Sequence, residues 1–112
     1  MSDPAPQPKL LYCRCAYAQV VPTSIKDGVL AKLCESGVGF ESVADLCEMA
    51  AHRDGRLKAF AQTTPIRIAA CYPRVVRGLF RQSDVPLPEE GVEILNMRAQ
   101  SIDEVTEGML KS

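Results

Sequence analysis

Apolar positions recur along this chain in blocks that switch between two periods. Leu10, Leu11, Tyr12 and Cys13 form a short continuous run, which predicts a buried strand passing into a loop over residues 9–18. Ile25, Val29, Leu30, Leu33 and Cys34 then fall at helical spacing. Thr23 or Ser24 can cap that helix and Gly37 can stop it, so residues 25–35 read as the first helix, with Cys34 on its core stripe. Phe40, Val43 and Leu46 suit either a strand or a helix; residues 38–44 are taken as a strand, with Cys47 just beyond it. A helix over about 49–61 follows, with Gly55 as the place where it would be interrupted, and residues 63–65 end it.

The stretch 66–71 is the clearest strand, an apolar run broken only by Arg67. Pro73 suits the first turn of the next helix, whose inner face carries Val75, Val76, Leu79 and Phe80. A Pro-rich loop over 85–90 leads to a fourth strand at 92–97. Ser101 caps a last helix through Leu110, with Glu104 completing a capping box. Strands alternating with helices imply a parallel sheet joined by right-handed crossovers. The expected fold is a small three-layer α/β domain, with about four strands and helices on both faces, over residues 9–112. Residues 1–8, with three prolines, are expected to form a disordered tail.

At 112 residues and 46% hydrophobic content, one domain can bury a core without a disulfide or a metal to hold it. A metal would then serve function rather than scaffolding. The net charge of −1 argues against a protein-wide polyanion binder. Few aromatics and no recognisable motif argue against nucleic acid. No run approaches the roughly 18 apolar residues of a membrane span, and residues 1–7 lack the basic start and apolar stretch of a signal peptide. These features lead to the expectation of a cytoplasmic protein with reduced cysteines. The odd count of five cysteines also speaks against a closed disulfide framework.

Charge is distributed in blocks. Residues 53–81 hold Arg53, Arg56, Lys58, Arg67, Arg74, Arg77 and Arg81 against the single acid Asp54, whereas acids dominate residues 84–107. Two oppositely charged solvated faces account for this pattern. The sharper reading is a basic surface that faces an anion or an acidic redox partner.

Four cysteines carry the candidate chemistry. Cys13 and Cys15 are two apart in an extended segment, which points both sulfurs to one side with Cα atoms roughly 6.6 Å apart. That separation is near the upper limit for a disulfide and suits two corners of a metal centre better. Cys71 ends a strand and precedes a helix, so its sulfur is expected beside backbone N–H groups and the positive end of a helix dipole. Arg74 and Arg77, one and two turns in, would add positive charge beside a bound anionic cofactor. Cys47 by itself reads as filler and becomes a ligand only in company with the others. In an open α/β sheet the carboxyl ends of neighbouring strands converge on one edge. Four thiolates gathered there make a soft tetrahedral donor set, suited to an iron–sulfur cluster or to zinc. His52, the only histidine, reads as a solvated helix residue. A competing pattern is Cys71 to Arg77, formally C-x5-R, the spacing of a phosphatase-type loop around a thiol nucleophile; here it has no glycine, and Pro73 removes one N–H donor.

Leu11-Tyr12-Cys13-Arg14-Cys15, Asp45-Leu46-Cys47-Glu48, Ile68-Ala69-Ala70-Cys71-Tyr72-Pro73-Arg74 with Gly78-Leu79-Phe80, and Asn96-Met97-Arg98-Ala99-Gln100 occur in that order. Together they resemble the N-terminal module of the A subunit of heterodisulfide reductase. Arg14 stands where that family has histidine, Ala16 where it has glycine, and Val76 where a histidine often follows. The resemblance implies a 4Fe-4S cluster held by Cys13, Cys15, Cys47 and Cys71, and electron transfer to a larger redox protein or oxidoreductase subunit. The family's flavin domain and ferredoxin inserts have no counterpart in these residues, so only the cluster-binding module is implied. The expected function is therefore 4Fe-4S electron transfer or redox sensing. The alternatives are a structural zinc module, or a Cys71-dependent thiol enzyme of phosphatase or sulfurtransferase type.

Overall fold

Four short strands pair side by side as a parallel sheet. The computed structural model describes residues 8–14, 21–52 and 54–111. The expected tail lies outside them except for Pro8, as does the Cys15 position. The strands are β1 (Lys9–Cys13), β2 (Glu41–Val43), β3 (Ile66–Ala70) and β4 (Val92–Asn96). The helices are α1 (Thr23–Glu35), α2 (Leu46–Ala51), α3 (Arg56–Gln62), α4 (Pro73–Gln82) and α5 (Ile102–Leu110). The sheet order is β2-β1-β3-β4, and every pairing is parallel.

Successive side chains of a strand point to opposite faces, and the contacts identify the two faces here. The Tyr12 hydroxyl donates to the Lys26 carbonyl of α1 at 2.8 Å. Arg67, which shares that face by register with Leu10 and Tyr12, reaches the Met109 carbonyl of α5 at 2.9 Å. Val29, Leu33, Val105 and Met109 bury this side. On the other side Leu11, Cys13, Ile66, Ile68 and Ala70 lie under α2 and α4, with Val76 and Phe80 fully covered. The result is three layers, helix–sheet–helix, with the central strands β1 and β3 buried on both faces.

Three expectations change. The helix over 49–61 is interrupted ahead of Arg56, at the Gly55 position where the sequence allowed it, but its first part begins at Leu46 rather than Met49. Asp45 starts the first one by accepting the N–H groups of Cys47 at 2.8 Å and Glu48 at 3.2 Å, while Asp54 accepts from Arg56 N at 2.9 Å ahead of the second. Cys47 therefore sits in the first turn of α2 rather than in a loop. The second strand is only three residues long. Third, Cys34 is exposed, not core. At 100° per residue it lies well round α1 from the buried pair Val29 and Leu33.

The basic stretch is likewise not one surface. Arg56 pairs with Asp54, Arg67 lies under α5 beside Glu93, and Arg77 turns to the Pro88 carbonyl. Among the described residues no helix is long and apolar enough to cross a membrane.

Candidate metal centre

Sheet order places the carboxyl ends of β1 and β3 next to each other, while the connections leaving them run to opposite sides. That geometry opens a crevice at the strand ends, the usual ligand position in open α/β sheets. Cys13 is the last residue of β1, and Cys71 directly follows β3. Cys47 reaches the same place from the first turn of α2. All three thiols line one cavity of about 250 Å³, together with Asp45, Leu46, Ala70, Tyr72, Val75, Val76 and Leu79. Three separate segments thus converge on one volume.

The local geometry is specific. The Leu46 backbone N–H, first in α2, is 3.4 Å from Cys13 Sγ and donates to it. Asp45 is only 2% exposed, and its carboxylate belongs to the same wall. The Cys47 thiol is pushed up from 9.0 to about 11, first by burial, then by the negative charge of Asp45 and the proximity of Cys71 and Cys13. Crowding of anion-forming groups in an apolar pocket disfavours thiolate until a cation shares the space.

Protein-family models, curated proteins and solved structures give no match to the chain. The site therefore has to be read from its own chemistry.

The donor set fits a soft metal. Thiolate sulfur is the preferred ligand of iron–sulfur clusters and zinc. Among the described residues no group of three His, Cys, Asp or Glu side chains is drawn together tightly enough to hold an ion as it stands. Cys15, expected as the fourth ligand, lies outside the described residues.

The two arginines expected beside the cofactor fare differently. Arg74 is exposed in the first turn of α4 and does not line the cavity. Arg77 is a correction: its Nη1 donates to the Pro88 carbonyl at 3.1 Å, and it lines a separate pocket with Arg81 and Leu87. On α4 the residues facing the thiols are Val75, Val76 and Leu79, and Arg77 is on the far side of the helix from them. The same placement keeps Arg77 from closing over Cys71, so the C-x5-R spacing is not folded as an oxyanion cradle.

Asp45 and Val75 were not anticipated at the site. Asp45 was legible: an Asp three residues before Glu48 ahead of an apolar stretch is a helix-start signature. Val75 was expected inside, but it is 41% exposed at the mouth of the cavity.

Proposed function

We propose that this domain binds a 4Fe-4S cluster at the carboxyl edge of its sheet, through Cys13, Cys47 and Cys71 with Cys15 as the fourth ligand. In this role it passes electrons to, or senses the redox state of, a larger redox protein. The observation that carries the reading is the convergence of three thiols, from three different segments, on one cavity. When bound, a cluster supplies one-electron transfer at a potential set by hydrogen bonds to sulfur, nearby charge and burial. The chain's own residues bear on each of these. The Leu46 N–H is directed at Cys13 Sγ, one hydrogen bond to a ligand sulfur. Val75, Val76 and Leu79 limit water at the thiols. Asp45 places negative charge in the wall, which disfavours adding an electron nearby.

Thiolate donors suit zinc as well as a cluster, and the cluster is the reading preferred here. The resemblance to the heterodisulfide reductase module supports the same choice and assigns the same four cysteines.

The test is anaerobic purification with quantitation of iron, acid-labile sulfide and zinc, and an absorption spectrum. Brown protein with iron and sulfide in equal amounts is expected. Cys13→Ser, Cys15→Ser, Cys47→Ser and Cys71→Ser should each lose the cluster, and Cys34→Ser should keep it. Colourless protein with one zinc per chain would replace this reading with the structural-zinc one. Metal-free protein whose activity depends on Cys71 alone would replace it with a thiol enzyme.

A further inference from the structure

Strand register sets two of the cavity's cysteines at the separation a disulfide spans. Tyr12 of β1 pairs with Ala69 of β3, and one further step along both strands sets Cys13 opposite Ala70 and diagonal to Cys71. Strands about 4.8 Å apart, with a rise of about 3.3 Å per residue, put the Cα atoms of Cys13 and Cys71 roughly 6 Å from each other. Disulfides bridge Cα separations of about 4.4–6.8 Å. Strict alternation would turn a strand residue at 71 to the face opposite Cys13. The strand ends at Ala70, however, and the chain bends at Cys71, so both side chains line the same cavity.

The pair is fixed in place and well enclosed. β1 and β3 lie side by side at the centre of the sheet, which sets the separation of their ends. Cys47 is placed instead by the first turn of α2, where its N–H is tied to Asp45. Cys13 is 2% and Cys71 7% exposed. Leu46, Ala70, Val76 and Leu79 surround them, and a cavity of about 250 Å³ admits a small neutral molecule.

We propose that Cys13 and Cys71 are a peroxide-sensitive pair, which closes to a disulfide between the ends of β1 and β3 when the site holds no metal. Hydrogen peroxide is the oxidant. One thiol sulfur attacks a peroxide oxygen, the O–O bond breaks, and a sulfenic acid and one water form. The second thiol sulfur then displaces the hydroxyl, which makes the S–S bond and releases a second water. The two sulfurs together give up two electrons to the peroxide, and both thiol protons leave in water. A dithiol reductant, itself oxidised to a disulfide, reverses the change. The closed pair has no thiolate to offer a metal, so oxidation withdraws two of the four donors. That consequence for the cluster rests on the reading above; the disulfide itself rests on register, burial and the shared cavity.

The metal-free chain, reduced and then freed of reductant, is treated with hydrogen peroxide and digested without reduction. The intact chain should lose the mass of two hydrogen atoms, and the digest should contain one pair of peptides joined through Cys13 and Cys71. Dithiothreitol should undo both. Cys13→Ser and Cys71→Ser should each lose the link, whereas Cys34→Ser and Cys47→Ser should keep it. Circular dichroism establishes that each variant is folded. The oxidised chain should also lose the thiolate–cobalt(II) absorption that the reduced chain develops when cobalt(II) is added. A link from Cys13 to Cys15, a link through Cys47, cross-links between chains in its place, or oxidation to sulfinic acid with no link would overturn the pair. So would thiols that stay free. Unchanged cobalt(II) absorption in the linked chain would overturn its effect on metal binding. The two readings fail separately. A chain that takes up neither iron nor cobalt(II) but closes the link removes only the metal site, and a chain that loads a cluster but closes no link removes only the switch.

Discussion

The Asp45 carboxylate accepts the backbone N–H of Cys47 at 2.8 Å, so one side chain both begins α2 and charges the wall of the thiol cavity. The two roles separate by substitution. Asn retains the accepting oxygen and is as good a helix cap as Asp, whereas Ala removes both functions at a cost of about 1 kcal/mol. Asp45→Asn should therefore unfold in urea close to wild type, and Asp45→Ala should be less stable by about that amount. In metal-free Asp45→Asn the Cys47 thiol should ionise below the wild-type value of about 11 but still above 9.0, because burial, the largest cause of the shift, is unchanged. Alkylation of Cys47 followed by mass spectrometry across pH gives that midpoint directly.

The same thiol makes stability depend on pH. Its folded-state value of about 11 is above its ordinary 9.0, so in that window the folded chain holds a proton that the unfolded chain has released. Stability from this group is complete below about pH 9 and is lost as pH rises towards 11. Metal-free wild type and Cys47→Ala should show a constant difference in urea stability at neutral pH. Above pH 9 that difference should shift to the disadvantage of the wild type. Taking the difference cancels the lysines and tyrosines that titrate in the same range.

Much of this arrangement is legible in the chain, and the misses have physical causes. The β-α alternation and the Ser101–Glu104 capping box read directly, since period and cap chemistry are local. The convergence of Cys13 and Cys71 follows from strand order, which the alternation constrains. Cys34 and Val75 were misplaced for a shared reason. Both lie on apolar arcs wider than the strip of helix that the sheet covers, and sequence does not show where that strip ends. Arg77 was misplaced because its partner, the Pro88 carbonyl, belongs to a loop whose path periodicity does not predict. Arg67, an apparent interruption of the best strand, turns out to be a structural tie.

That tie is testable. Arg67 Nη1 donates to the carbonyls of Met109 at 2.9 Å and Lys111 at 2.6 Å, groups that the end of α5 leaves without helical partners. Charged hydrogen bonds of this kind contribute about 1.5–3 kcal/mol each when well formed, less where one partner is solvated, as at Lys111. Arg67→Met keeps the length of the side chain and loses the donors. It should lower stability by about 2 kcal/mol and should speed amide hydrogen exchange in the last turn of α5. The metal content should not change, because Arg67 faces α5 and the thiols face α2 and α4.

Two helical glycines should respond with opposite sign to the same substitution. In a helix interior, alanine is favoured over glycine by about 1 kcal/mol. At Gly78 in α4 an added Cβ would meet nothing within 4 Å, so Gly78→Ala should stabilise the domain by up to about that amount. At Gly28 in α1 the same carbon would lie 2.9 Å from Cγ1 and 3.3 Å from Cγ2 of Ile102. Ile102 opens α5, so relief requires α1 and α5 to separate or the branched side chain to leave its rotamer. Overpacking of this sort costs about 1–3 kcal/mol, which outweighs the propensity gain. Gly28→Ala should therefore be less stable than wild type, by about 1 kcal/mol after the two terms oppose. Urea denaturation of both variants measures the pair. If Gly28→Ala gained as much as Gly78→Ala, α1 and α5 would not be packed as closely as the structure shows.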